Sequence, residues 1–211
     1  MLMAAIVLPL AAALFGSPLQ PLVDGFSSYF NVSLSVAVTL SSGVTTAAAA
    51  GLDDRKSGSK ATTASLYPAG SVTKTFTAVS AMHLAEAGKL DLDMPIHKIL
   101  DPWLHAQGSA GLQKLWDGST TILEVTPRQL LQMQGGVHDY DDEELLKWTI
   151  ENPNEDRLPH QYVERVNKSF LFPPGGGGAY TGVGYVLMGW VLSAASGAER
   201  GRSKKTEFNY Y

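Results

Sequence analysis

A serine followed three residues later by a lysine occurs at Ser57–Lys60 and again at Ser71–Lys74. On a helix that spacing brings both side chains to one face, where the lysine can take the serine proton and leave an oxygen nucleophile suited to acyl transfer. Only the neutral amine is a base, so burial and neighbouring positive charge must lower the lysine from its ordinary value of about 10.4. A chain of average composition contains such a string roughly once by chance, so the flanking residues have to discriminate. Ser57 lies in a polar Gly/Ser-rich stretch from Asp53 to Thr63 that reads as a loop, with nothing to desolvate Lys60 or fix its distance from Ser57. Ser71 opens a segment free of Pro and Gly up to Gly88, apolar at Val72, Phe76, Val79, Met82 and Leu84 or Ala85. That spacing predicts a largely buried helix stopped by Gly88. There the positive end of the helix dipole and the Ser71 amide would face a developing oxyanion. The same residues admit a plainer role, with Ser71 capping the helix and Lys74 in solvent.

The elements around this helix follow from periodicity and capping. Leu22, Phe26, Tyr29 and Phe30 recur at helical spacing and predict a short amphipathic helix before Asn31. Leu34, Val36, Val38 and Leu40 alternate as a strand, and Ser41-Ser42-Gly43 turns it into a second strand near Val44 to Ala50. Thr126-Pro127-Arg128-Gln129 combines a capping box with proline at the first helical position, followed by Leu130, Leu131 and a stop at Gly135. The glycine run 175–178 reads as a flexible loop leading into an apolar helix from Gly184 to Ala195. It lacks the Gly-Lys-Ser/Thr ending of a phosphate loop. No internal repeat and no domain linker is visible.

Composition narrows the classes. With 211 residues, 45% hydrophobic and 17% charged, the chain suits one compact domain. A net charge of -4 and the absence of any basic cluster longer than Lys204-Lys205 argue against nucleic acid. With Cys 0 there is no disulfide framework and no thiolate chemistry. The histidines at 83, 97, 105, 138 and 160 form neither an HExxH pattern nor a close pair, so no metal site is expected. The uncharged run from Leu2 to Gly16 is shorter than the roughly 20 apolar residues of a membrane span but fits the apolar core of a signal peptide. Residues 1–17 are accordingly read as a signal peptide, with a secreted or extracytoplasmic domain over 18–211. The positive leader region is missing and Pro9 interrupts the run, so a buried N-terminal helix and a membrane anchor stand as alternatives. Asn31-Val-Ser33 and Asn167-Lys-Ser169 are acceptor tripeptides for glycosylation in an exported eukaryotic chain.

From Leu66 to Leu92 the sequence LYPAGSVTKTFTAVSAMHLAEAGKLDL resembles the active-site segment of the serine beta-lactamase-like family, which includes class C beta-lactamases, D-alanyl-D-alanine carboxypeptidases and related esterases. Pro95 to Leu100 resembles that family's "D.P...YLP" loop, Val125 to Leu131 its "ITIRHLL" helix start, and Gly136 to Tyr140 its "GLPDY" turn. Phe172-Pro-Pro-Gly175 followed by Ala179 to Leu187 is similar to "F.PG..F.YSNTGYVLLG", which carries the family's YxN motif. In order and spacing the resemblance runs from about Leu34 to Gly197.

The resemblance implies an α+β fold of the beta-lactamase/transpeptidase type, an antiparallel sheet flanked by helices with a helical lobe, of which this chain would hold the N-terminal hairpin and the lobe. It implies a serine hydrolase working through an acyl-enzyme on a small ester or amide, with no cofactor, no metal and no stable protein partner. Carried over, the nucleophile is Ser71, the base or relay Lys74, and the motif tyrosine Tyr180; Tyr140 and Tyr185 read as core aromatics. The motif asparagine is Gly182, a substrate-binding position now without its amide, which weakens amide substrates more than esters. The family's third motif, a Lys/His–Thr/Ser–Gly triplet, is absent, and the apolar pattern stops at Gly201 to Tyr211. The expectation is a chain lacking the C-terminal strands, with an exposed apolar face on the Ser71 helix. A non-catalytic paralogue or inactive fragment of the same fold is the rival reading.

Overall fold

The computed structural model describes residues 19–140, 142–152, 154–155 and 159–197. The leader expected at 1–17 and the pattern change at 201–211 lie outside them. The chain divides between Pro68 and Ala69 into two units.

In the first unit, helix α1 (Leu19–Phe30) packs on a hairpin of β1 (Leu34–Thr39) and β2 (Thr45–Ala50). The strands pair antiparallel from Leu34↔Ala50 to Thr39↔Thr45, and β1 alternates between half-buried Leu34, Val36, Val38 and exposed neighbours. The turn uses Gly43 at φ 84, as a tight hairpin requires. The apolar side of α1 differs from the one expected. Leu19, Val23 and Ser27, spaced by four, are buried, while Leu22, Phe26, Tyr29 and Phe30 are exposed. Ser27 joins the buried stripe because its hydroxyl donates to the Val32 carbonyl at 2.7 Å. The polar stretch read as a loop contains a second small hairpin, β3 (Leu52–Asp54) with β4 (Ser59–Lys60). Its residues show no alternation because both faces are exposed.

The second unit is built around helix α8 (Gly182–Ser196), which buries Val183, Gly184, Leu187, Met188, Trp190, Val191 and Leu192. A helix apolar on so many sides needs neighbours all round. It meets α2 (Thr73–Glu86), α3 (Ile96–Ala106), α5 (Pro127–Leu131) and α7 (Pro159–Arg165). Between α3 and α5 stands the one-turn helix α4 (Leu112–Leu115), and α6 (Asp142–Glu151) precedes α7. Ile96, Leu100 and Leu104 form a fully buried stripe along α3 at intervals of one helical turn.

Helix α5 starts as its sequence predicts. Gln129 N–H donates to Thr126 Oγ1 at 3.3 Å and Thr126 N–H to Gln129 Oε1 at 2.9 Å. It stops earlier than expected, with Met133 at φ 60. Gly135 serves packing instead, since a Cβ there would lie 2.9 Å from Leu130 Cδ2. Helix α2 ends at Gly88 (φ 68) as expected, but it is not largely buried. Thr77 and Ala81 are its buried residues, whereas Val72, Phe76, Val79 and Met82 are 62%, 64%, 50% and 48% exposed. Small side chains face α8, and the large apolar ones make a separate exposed stripe.

Candidate active site

Ser71 stands in a 3₁₀ turn (Gly70–Val72) that runs directly into α2. Gly70 sits at φ 51, a left-handed value that favours glycine, and a Cβ there would meet nothing, so the demand is conformational rather than steric. No side chain caps either the turn or α2, so Ser71 is not a helix cap. Its hydroxyl lies 2.6 Å from the Tyr180 hydroxyl and accepts from Lys74 Nζ at 3.4 Å. Lys74 Nζ also donates to the Tyr180 oxygen at 2.7 Å. The half-buried Lys74 side chain, on the first turn of α2, places Nζ 4.7 Å from the Tyr180 ring centre and 5.5 Å from that of Tyr185.

Tyr180 arrives from a position 109 residues along the chain, and its backbone is held on both sides. Ala179 N–H donates to the Met133 carbonyl at 3.0 Å. Thr181, buried at the N-cap of α8, accepts from Gly184 N–H and donates to the His138 carbonyl, each at 3.2 Å. Gly182 N–H donates to Asp139 Oδ1 at 2.7 Å. The 136–140 turn that supplies these acceptors is itself pinned. Leu171 N–H donates to the Gly136 carbonyl at 2.8 Å, and a Cβ on Gly136 would lie 2.1 Å from the Phe172 carbonyl oxygen.

These contacts set the acidity of the phenol. The hydrogen bond from Lys74 and then that with Ser71 hold Tyr180 below the ordinary tyrosine value, against a little burial and the Asp139 charge. Tyr185 goes the other way, raised by burial and by Tyr180, and its hydroxyl donates to the Leu131 carbonyl at 3.1 Å. One phenol is thus tuned toward ionising beside a serine, and the next along the chain is kept neutral and tied to backbone.

A family model described as Beta-lactamase matches residues 21–207. The chain belongs to the beta-lactamase family. Its architecture is the corresponding beta-lactamase/transpeptidase-like α+β fold. Among solved structures, a penicillin-binding protein from Bacillus halodurans superposes with TM-score 0.63 at 25% identity, over 82% of this chain and 48% of that one. A D-stereospecific amidohydrolase from Streptomyces sp. gives 0.57 at 25%, over 79% and 45%. D-amino acid amidase from Ochrobactrum anthropi SV3 gives 0.63 at 21%, over 86% and 47%. This beta-lactamase-family chain therefore spans just under half the length of each of the three.

Of the four residues singled out in sequence, Ser71, Lys74 and Tyr180 come together. Gly182 lies two positions on, and its amide is turned to Asp139 rather than to Ser71. Sequence reasoning gave Asp139 and Thr181 no role. The likeness of Gly136 to Tyr140 to the "GLPDY" turn marked the place of Asp139 without saying what its carboxylate touches. The family member's open cleft lined by Trp116, Asp117, Asn167 and Lys168, about 570 Å³, contains none of the three assembled residues. Among the described residues no group of three or more His, Asp or Glu is arranged to hold a metal ion.

Proposed function

We propose that the chain carries the nucleophilic centre of a serine hydrolase that works through an acyl-enzyme. The observation that carries this reading is the closed trio of Ser71 Oγ, Lys74 Nζ and Tyr180 Oη, with contacts of 2.6, 2.7 and 3.4 Å. A serine hydroxyl is a poor nucleophile until a base takes its proton. Tyr180 is that base in this reading, which its hydrogen bond from Lys74 and its lowered pKa support. With Tyr180 as its phenolate, stabilised by the Lys74 ammonium, Ser71 Oγ attacks the substrate carbonyl while its proton passes to the Tyr180 oxygen. The tetrahedral intermediate then collapses, the leaving oxygen or nitrogen takes the proton back, and the acyl group stays on Ser71. In the second half, water gives a proton to the Tyr180 phenolate and attacks the acyl carbonyl, and Tyr180 returns that proton to the departing Ser71 oxygen as the acid is released.

The substrate class is a small ester or amide. Similar solved proteins carry the names D-amino acid amidase, D-stereospecific amidohydrolase and penicillin-binding protein, and the amidase was solved with L-phenylalanine bound. Within that class Gly182 favours esters, because it offers no side-chain amide to a substrate amide. The uncharged run Leu2 to Gly16 supports an extracytoplasmic location, which cell fractionation tests.

The experiment is covalent labelling of the 211-residue chain with a fluorophosphonate, followed by peptide mapping. The adduct is expected on the peptide containing Ser71 and lost in Ser71→Ala. An adduct on Ser57 instead overturns the assignment of the nucleophile, and a folded chain that takes no label at all supports the non-catalytic reading.

A further inference from the structure

Gly182 departs from the family motif, and its backbone amide is engaged by the neighbouring turn. A Cβ built on Gly182 would lie 3.0 Å from Tyr140 Cε2 and 3.3 Å from Asp139 Oδ1, and that same oxygen accepts the Gly182 N–H at 2.7 Å. A side chain at 182 would make the 139–140 turn give by a few tenths of an ångström. The carboxylate meets the first residue of α8 at its backbone N–H. Gly182 N–H belongs to the first turn of the helix, where amides have no intrahelical acceptor, and Thr181 Oγ1 already serves Gly184. Asp139 supplies the acceptor for 182, with the sign of charge that the helix N-terminus favours.

Only Thr181 separates this anchor from Tyr180. The Tyr180 backbone is fixed by Ala179 on one side and by Thr181 and Gly182 on the other, and the last of these contacts ends on a charged group. Tyr180 is itself 56% exposed, so packing holds it little and backbone anchoring must hold it instead. We infer that Asp139 is a positioning residue of this site: by holding Gly182 N–H it keeps the Tyr180 hydroxyl between Ser71 and Lys74. The inference rests on the proposed roles of those three residues. Asp139 also acts at a distance. The groups that bear on Tyr180 are Lys74 and Ser71 from the α2 side, Asp139 from the 136–140 turn and Tyr185 from α8, and among them Asp139 is the anion.

Asparagine at 139 keeps an acceptor oxygen and removes the charge, whereas alanine removes both, so two variants separate the contact from the field. In the full chain, Asp139→Ala is expected to slow fluorophosphonate labelling of Ser71 by on the order of 10²-fold, the effect of a misplacement of about 1 Å. Asp139→Asn is expected to lose less. It should instead move the titration of Tyr180, read from its ¹³Cζ resonance, to lower pH, because the negative charge that opposes ionisation is gone. In the wild type the Gly182 amide hydrogen should exchange slowly with solvent, and in Asp139→Ala faster, because its acceptor is gone. A wild-type chain that takes no label on Ser71 overturns the hydrolase reading, while Gly182 exchange still tests the positioning role. That role is overturned if Gly182 exchanges equally fast in the wild type and in Asp139→Ala, or if Asp139→Ala labels as fast as the wild type. Should Asp139→Ala not fold, Gly182 exchange in Asp139→Asn decides alone, since a neutral acceptor holds the amide less tightly and exchange should quicken.

Discussion

Ser57 and Ser71 each stand three residues before a lysine, and the chain treats the two strings in opposite ways. Ser57 lies in the turn of the β3–β4 hairpin, where its hydroxyl accepts the Ser59 N–H at 3.3 Å and Lys60 extends along an exposed strand opposite Leu52. Ser71 enters a helix, where three residues make nearly a full turn and Lys74 returns to the same side. The spacing is identical; the backbone period gives it meaning. Even on the helix, the lysine alone leaves a 3.4 Å contact, and the shorter contacts come from a tyrosine brought in by a different segment.

Replacing each serine by alanine sharpens that contrast most. Ser71→Ala should reduce covalent labelling by at least about a thousandfold, and adding Lys74→Met should cost little more because groups acting as a unit are not additive. Ser57→Ala should leave labelling unchanged. Tyr180→Phe makes the second string resemble the first by removing its third partner, and the labelling rate should fall by about 10²–10⁴-fold, the usual contribution of a positioned base. A rate unchanged in Tyr180→Phe would hand the base role to Lys74 alone.

The pH dependence gives a smaller but more pointed effect. Because Lys74 heads the causes that lower Tyr180, labelling should rise with pH through an inflection below the ordinary tyrosine value of 10.0. In Lys74→Met whatever labelling remains should show that inflection displaced upward. An inflection that stays in place would mean that another group is titrating. Smaller again are the two left-handed glycines beside the strings, Gly58 at φ 74 and Gly70 at φ 51. Alanine at either should destabilise its own segment by about 1 kcal/mol, seen in urea unfolding. Labelling should suffer only for Gly70→Ala, since only that turn sets a serine against Tyr180.

What was legible in the sequence was local. The capping box of α5, the β1–β2 hairpin, the stop of α2 at Gly88 and the helix after Thr181 all follow from residues within a few positions of one another, and each is present. The identity of the three assembled residues came from motif resemblance along the chain. Burial was less legible. Periodicity alone put Val72, Phe76, Val79 and Met82 inside, and Leu22, Phe26, Tyr29 and Phe30 likewise, yet both stripes are exposed; for the first stripe the exposed face is the one that the family resemblance implied. Periodicity identifies a face and says nothing of which face meets a partner; the smaller stripes, Thr77-Ala81 and Leu19-Val23-Ser27, fit their neighbours more closely.

By itself, then, the amino-acid sequence determined where helices begin, which glycines turn the chain, and which serine precedes a lysine on a helix. Those are consequences of steric allowance and hydrogen bonding over a few residues. Only the tertiary structure decided that the Tyr180 oxygen would lie 2.6 Å from Ser71 and 2.7 Å from Lys74, that a phenol would be acidified there, and that the Gly182 amide would be held by Asp139. Contacts spanning more than a hundred residues depend on how α2, α8 and the 136–140 turn pack. Packing is a property of complementary surfaces, which no local pattern encodes.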